Sequence, residues 1–177
     1  MHEPGFREVE AWRDFYIFAG TAAATLMGLM FVVMSLGSET LNSDEGKKAM
    51  RGFFTPIIAF FATAILMAML VLIPGATPQA LGILITVVAA IGIAYMGASG
   101  AHALWRSSDL GIDDWIWYVA LPFLSYLVIC AAGIFIWLGL TFGLYVAAIS
   151  VILLLVTGIR NAWDLVVYTV QHQRRGS

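Results

Sequence analysis

Residues 52–105 read GFFTPIIAFFATAILMAMLVLIPGATPQALGILITVVAAIGIAYMGASGAHALW, and this stretch contains no Asp, Glu, Lys or Arg. As one straight helix it would be about 81 Å long. The hydrocarbon core of a bilayer is only about 30 Å thick and takes about 20 helical residues. The run must therefore reverse once, and residues 74–78 (PGATP) have the composition that breaks a helix. This stretch thus predicts two membrane-spanning helices.

The composition of the whole chain points to lipid as its solvent. Of its 177 residues, 61% are apolar and 11% are charged, with a mean hydropathy of +0.90. An ordinary soluble domain is about 45–50% apolar and about 25% charged, and it could not bury this much apolar side chain. Residues 15–38 and 115–159 also contain no Asp, Glu, Lys or Arg, and the longer of these runs has a weaker break at residues 139–143 (GLTFG).

These runs predict an all-α integral membrane protein, a bundle of five transmembrane helices formed by a single domain over residues 1–177. The spans are expected near residues 14–37, 53–73, 79–104, 115–138 and 142–160, with a cytoplasmic helical tail over residues 161–177. Runs that are continuously apolar favour helices over the alternating strands of a barrel.

The distribution of Lys and Arg predicts the orientation. With five crossings, the side of the amino terminus holds Arg7 and Arg13, and the opposite side holds Lys47, Lys48, Arg51, Arg106, Arg160, Arg174 and Arg175. Because Lys and Arg favour the cytoplasmic side, the amino terminus is predicted outside and the carboxyl terminus in the cytoplasm. We therefore expect a multi-pass protein of the cell inner (plasma) membrane.

Two polar stripes are the main candidates for a functional site. Their members share one face of a helix: Tyr95, Ser99, His102 and Arg106 on the third, and Thr157, Asn161, Asp164 and Tyr168 on the fifth. If the two faces meet, Asp164 could pair with Arg106 or His102 near the cytoplasmic surface. Such an opening could hold a lipid head group, a small solute or a partner helix. The alternative is that the polar side chains only join and anchor the helices.

Small residues and prolines mark positions where helices pack or bend. Gly20, Ala24 and Gly28 recur every four residues and favour close helix–helix contact, either within one chain or between subunits. Pro56 and Pro122 lie inside apolar runs, where the missing N–H predicts a kink. An α-helical count of four residues predicts that the carbonyl group freed by Pro122 is that of residue 118.

The predicted spans contain no group suited to catalysis or to charge movement within the bilayer. Pumps and proton-driven transporters place Asp, Glu, Lys or Arg at membrane depth, and these runs have none. The sequence shows no paired carboxylates, phosphate loop, nucleophile elbow or metal-ligand motif. We therefore expect no enzymatic activity, no metal and no cofactor. A net charge of −2 without a long basic run gives no sign of a nucleic-acid partner.

Two segments carry a resemblance to known proteins. Residues 19–29 (AGTAAATLMGL) and 160–165 (RNAWDL) resemble segments of small multi-pass inner-membrane proteins of bacteria that carry no functional name. The resemblance covers the first and fifth helices. It implies a bacterial inner membrane and supplies no activity or catalytic residue.

The sequence favours a non-enzymatic helical membrane protein that forms an oligomeric small channel or transport module. Its polar vestibule on the cytoplasmic side would be built from His102, Arg106, Asn161 and Asp164. The alternative is an accessory or structural subunit that packs against a larger membrane complex and conducts nothing. The expected partners are membrane lipids and either further copies of the chain or such a complex.

Overall fold

The computed structural model describes residues 4–36, 54–106 and 115–176, and the side-chain environments of residues 12–35, 54–98 and 115–167. Every secondary-structure element in these ranges is a helix, which confirms the predicted all-α class. The helices are α1 (Pro4–Leu36), α2 (Thr55–Val71), α3 (Pro78–Arg106), α4 (Leu121–Trp137) and α5 (Phe142–Gly176), and a π-helical turn over Ile116–Ala120 leads directly into α4.

Four of the helices are long and apolar enough to cross a membrane. The segments that meet both conditions are Trp12–Ser35, Pro78–Ala98, Ile116–Trp137 and Phe142–Val167. These helices fit the predicted membrane bundle. α2 is also apolar but has only 17 residues. A fifth crossing by α2 and the orientation of the termini stay predictions.

Glycines in the left-handed backbone region follow α2 and α4. Gly75 has a φ of 72° in the turn before α3, and Gly139 has a φ of 76° directly after α4. The Leu140 N–H donates to the Phe135 carbonyl and the Gly139 N–H to the Ile136 carbonyl, which together form a Schellman cap. L side chains are strained at positive φ, so glycine lets the chain reverse within a few residues at both breaks that the sequence singles out.

α4 and α5 form the centre of the bundle. α4 packs against α3 on one side and α5 on the other, and α5 also contacts α2 and α1. α1 and α2 pack against each other, whereas α2 and α3 make few contacts beyond the turn that joins them. Among the described residues, α3 and α5 make few or no direct contacts, because α4 lies between them.

Glycine lets α3 and α4 approach until their backbones touch. A Cβ atom at Gly82 would lie 2.6 Å from the Gly133 carbonyl oxygen and 2.5 Å from the Trp137 backbone nitrogen. A Cβ atom at Gly133 would lie 2.9 Å from the Gly82 carbonyl oxygen. Small residues at such contacts are typical of helix pairs in lipid, where close packing rather than a hydrophobic force drives association.

Of the small residues predicted to pack on α1, one meets another helix of the same chain. A Cβ atom at Gly20 would lie 2.8 Å from the Cβ of Ala68 on α2. Ala24 and Gly28 are exposed, and a Cβ atom at Gly28 would meet nothing within 4 Å. Each step of four residues turns about 40° around a helix. Ala24 and Gly28 therefore lie progressively farther around α1 from the contact that Gly20 makes with α2. Packing of Ala24 and Gly28 against another subunit stays a prediction.

The outer surface of the described helices exposes many large apolar side chains. Phe18, Met69 and Ile91 are exposed over 72%, 61% and 65% of their surface, whereas Phe60 and Ile85 are fully buried. Large apolar side chains exposed along whole helices would form unfavourable patches in water. The same surface is suited to contact with acyl chains, which is consistent with a membrane protein.

Candidate functional site

Two members of the α5 polar stripe, Asn161 and Asp164, bond to residues of the π turn that leads into α4. Thr157 and Asn161 are fully buried, and Asp164 is partly exposed at the same end of the helix pair. Tyr168, the last member of the predicted stripe, lies outside the range of described side chains. The partners that the structure describes for this stripe therefore lie at the start of α4, while its predicted contact with α3 is not tested by the described side chains.

The polar stripe of α3 is described in part. Tyr95 is half-buried and packs against the main core. The side chains of Ser99, His102 and Arg106 lie outside the described ranges, so their predicted pairing with Asp164 stays a prediction. The partners that the described residues give to the α5 stripe come from α4 and from α5 itself.

Because Pro122 has no N–H, one carbonyl group before it lacks a main-chain hydrogen-bond donor. The π-helical turn before α4 determines which carbonyl group that is. The Leu121 N–H donates to the Ile116 carbonyl, five residues earlier. In this register the donor to the Trp117 carbonyl would be residue 122, but Pro122 has no N–H. The structure thus differs by one residue from the α-helical count, which predicts that the Tyr118 carbonyl is freed. Single π turns are frequent at functional sites.

Asn161 supplies the missing donor from the neighbouring helix. Its Nδ2 donates to the Trp117 carbonyl oxygen over a distance of 3.4 Å. Its Oδ1 is buried and has no hydrogen-bond partner among the described residues. A buried acceptor that is left unpaired costs about 1–3 kcal/mol. A bound group that donates to this oxygen would remove that penalty.

The Asp164 carboxylate joins α4 to α5 beside Asn161. Its Oδ2 accepts a hydrogen bond from the Tyr118 hydroxyl at 3.0 Å, and its Oδ1 pairs with Arg160, one helical turn earlier. The Arg160 guanidinium lies 5.9 Å from the centroid of the Trp117 ring. The Arg160–Asp164 pair is 44% and 33% exposed, so solvent screening keeps its contribution to stability small. We call Trp117, Tyr118, Arg160, Asn161 and Asp164 the α4–α5 polar cluster.

No family model, curated protein or solved structure matches this chain. The resemblance to bacterial inner-membrane proteins therefore stays a prediction. The geometry of the α4–α5 polar cluster is what bears on function.

The buried serine and threonine hydroxyl groups of α4 and α5 differ from Asn161 because each has its partner in its own helix. The donors and acceptor carbonyls are Thr157 to Leu153 at 2.7 Å, Ser150 to Ala147 at 2.7 Å and Ser125 to Leu121 at 2.8 Å. Hydroxyl groups bonded in this way need nothing from outside the helix. Asn161 cannot be satisfied in this way, because its amide carries both donors and an acceptor.

The two prolines singled out in the sequence lie in the first turns of α2 and α4. Pro56 and Pro122 both occupy the first or second helical position. At Pro122 the missing N–H has a consequence, because the π turn continues the helix before it and the Trp117 carbonyl is left without its main-chain donor. A bend of the helix axis at either proline stays a prediction.

A second polar contact joins α2 to α4. Thr63 Oγ1 donates to the Ala59 carbonyl at 2.8 Å, so the Tyr126 hydroxyl, 3.0 Å from Thr63 Oγ1, donates to Thr63. A Cβ atom at Gly92 on α3 would overlap the Tyr126 ring, so glycine provides the space that this ring occupies. Both hydroxyl groups are paired, which indicates a structural tie between helices.

Trp117, Tyr118 and Arg160 belong to the cluster but are not predicted as site residues. The signal that could have found the first is its position, five residues before Pro122. That signal is informative only when the helix is known to have a π register. An α-helical reading gives no reason to choose the Trp117 carbonyl as the group that needs a donor.

Proposed function

We propose that this protein is a five-span membrane protein that moves a small polar solute, with the α4–α5 polar cluster as the cytoplasmic mouth of the route. The observation that carries the proposal is the fully buried Asn161, whose Oδ1 has no partner among the described residues. An apolar interior penalises such a group, and a polar occupant would offset the penalty. In the same proposal the protein is a homo-oligomer of a bacterial inner membrane and has no enzymatic activity.

The turn between α2 and α3 supports a fifth crossing. α3 begins at Pro78, a few residues after α2 ends at Val71, so these two helix ends lie at the same surface. The 17 residues of α2 rise about 26 Å, close to the hydrocarbon thickness of about 30 Å. α2 can therefore bring the chain from one surface to the other.

Tryptophan positions support an interfacial location for the cluster. Trp117 and Trp137 bracket α4 and stand about 30 Å apart along the helix. Trp163, at the same end of the bundle as Trp117, exposes 66% of its surface. Indole rings favour the membrane–water interface, and the bias of Lys and Arg assigns this interface to the cytoplasm.

The filled core beyond the α4–α5 polar cluster favours a route that continues from the cluster between copies. Phe60, Phe61 and Tyr126 are fully buried, and Gly158 packs directly against the Phe61 ring. Interiors packed in this way admit few voids as large as a water molecule. Hydroxyl and carbonyl groups alone can line a pore, so the absence of charged residues between the ends of the predicted spans is compatible with conduction.

Flux through reconstituted protein tests the proposal. Proteoliposomes are expected to pass a small polar solute faster than empty liposomes, measured by stopped-flow light scattering for neutral solutes and by ion-sensitive dyes for salts. Asp164→Asn should lower the rate several-fold, because Arg160 loses its counter-charge and Tyr118 its charged acceptor. His102→Ala should also alter the rate if the predicted vestibule is correct.

Ser150→Ala is the matched control for these variants. Ser150 is buried on the same helix, but its hydroxyl is satisfied by its own helix, so the rate should be unchanged. The absence of flux for every solute tested would contradict a transport function. Flux that is equal in wild type, Asp164→Asn and His102→Ala would contradict the vestibule.

A specific feature of α1 favours the second candidate, an accessory subunit of a larger membrane complex. Only 17% of the residues in its apolar segment are buried, and Thr21, Ala24, Thr25 and Gly28 are all exposed. A face of small residues suits close contact with a helix of another chain. The same face serves equally for contact between copies.

Purification from native membranes separates these two uses of α1. An accessory subunit is expected to co-purify with one different protein in fixed stoichiometry, and Ala24→Leu together with Gly28→Leu should abolish the association. Gly97→Leu is the control, because a Cβ atom at Gly97 on α3 meets nothing within 4 Å. Recovery of copies of this chain alone would argue against the accessory role.

A further inference from the structure

The orientation of the Asn161 amide is set by the π turn that leads into α4. With the Trp117 carbonyl accepting from Nδ2, the opposite end of the amide presents Oδ1, which can only accept hydrogen bonds. Turning the amide over would place two oxygen atoms against each other and lose the bond. The buried end of the α4–α5 polar cluster is therefore an acceptor to which no described residue donates.

Among the described residues, the charged side chains of the cluster are paired with each other before any ligand binds. Arg160 is paired with Asp164 and also lies over the Trp117 ring, and Asp164 accepts a further bond from Tyr118. A ligand with a net charge would bring an uncompensated charge into apolar surroundings, which is strongly unfavourable. An anion would in addition face the partial negative charge of the Asn161 oxygen.

We propose that Asn161 Oδ1 binds a small uncharged molecule that carries an N–H or O–H donor, such as a primary amide or an alcohol. This inference deepens the proposed function and rests on it, because it names the class of solute that the mouth of the route admits. Arg160 and Asp164 are partly exposed, and the fully buried Asn161 lies next to Arg160 on the same helix. Sites that pair with a donor discriminate strongly against analogues that lack it, since the protein acceptor is then left unpaired.

A matched pair of probes tests the donor requirement in the wild-type protein. The full chain in detergent micelles is titrated with acetamide and with N,N-dimethylacetamide, which keeps the carbonyl group but has no N–H. Binding is followed by saturation-transfer NMR of the probe. Acetamide is expected to give a saturable signal and to bind with an affinity at least roughly tenfold higher than that of its dimethyl analogue. Equal affinities for the two probes, or no saturable acetamide signal, would overturn the inference.

Variants assign the acceptor to Asn161. Asn161→Leu should weaken acetamide binding roughly tenfold, whereas Ser150→Ala should leave it unchanged. If Asn161→Leu does not fold, the double variant with Pro122→Ala replaces it, because Pro122→Ala adds an N–H that can serve the Trp117 carbonyl. Acetamide binding that persists at full strength in the folded single or double variant would place the acceptor elsewhere and overturn the assignment.

The binding and flux experiments test the ligand class and the transport function independently. Saturable acetamide binding in micelles without solute flux in liposomes would retain the ligand class and reject the transport function. Flux of a solute together with equal binding of the two probes would retain transport and reject the donor requirement at Asn161.

Discussion

Gly82→Val is expected to abolish stable packing of α3 on α4. The new Cβ would lie 2.5 Å from the Trp137 backbone nitrogen and 2.6 Å from the Gly133 carbonyl oxygen. Backbone atoms cannot rotate out of the way as side chains do, so one helix must move away from the other. Overpacking of a fixed interior costs about 1–3 kcal/mol and sometimes more, and the loss of this helix contact should lie at the upper end.

The measurement is the temperature at which half of the purified protein loses its monodisperse peak in size-exclusion chromatography after heating. Gly97→Val is the matched control, because it makes the same change on the same helix where a Cβ atom meets nothing within 4 Å. We expect Gly82→Val to aggregate or to yield little folded protein, and Gly97→Val to resemble the wild type. Equal midpoints for the two variants would contradict the close contact between α3 and α4.

If the chain crosses the membrane five times, each introduced cysteine is expected to be either fully labelled or unlabelled from outside the cell. Cys130 is the single cysteine of the chain, and replacing it by alanine provides the background. In spheroplasts, Glu3→Cys and Ala76→Cys should react fully with a membrane-impermeant maleimide, whereas Ser177→Cys should react only after permeabilisation. The reason is that five crossings separate the two ends of the chain, and two separate the amino end from the turn after α2.

Ala76→Cys isolates the contribution of α2. If this short helix did not cross, residue 76 would lie on the opposite side from residue 3, and the two ends of the chain would lie on the same side. Labelling of Glu3→Cys and Ser177→Cys from one side would therefore reject the fifth crossing. It would also remove the basis for assigning the α4–α5 polar cluster to the cytoplasmic face.

The helices and their breaks could be predicted because their causes are local. Uncharged runs too long for one crossing must reverse, and Gly75 and Gly139 lie at the reversals with positive φ. The α5 stripe could be predicted as a shared face for the same reason, since helical periodicity acts within one element. Thr157 and Asn161 do share a buried face.

The partner of that stripe could not be predicted. From the sequence, Asp164 could pair with Arg106 or His102 on α3, and that pairing stays a prediction. The partners that the described residues give it are Tyr118 in the π turn before α4 and Arg160 on α5. Periodicity says which residues share a face but contains no information on which helix that face meets. The same limit applies to the small residues of α1, of which Gly20 meets α2 while Gly28 faces outward.

By itself, the sequence determined an all-helical chain with an apolar outer surface, because hydropathy, charge and turn composition act over short distances. Only the tertiary structure decided that α4 separates α3 from α5 and that Asn161 donates to the Trp117 carbonyl. That bond depends on a π register which shifts the carbonyl deprived by Pro122 from residue 118 to residue 117. The physical reason is that hydrogen bonds between helices depend on distances set by packing of the whole bundle.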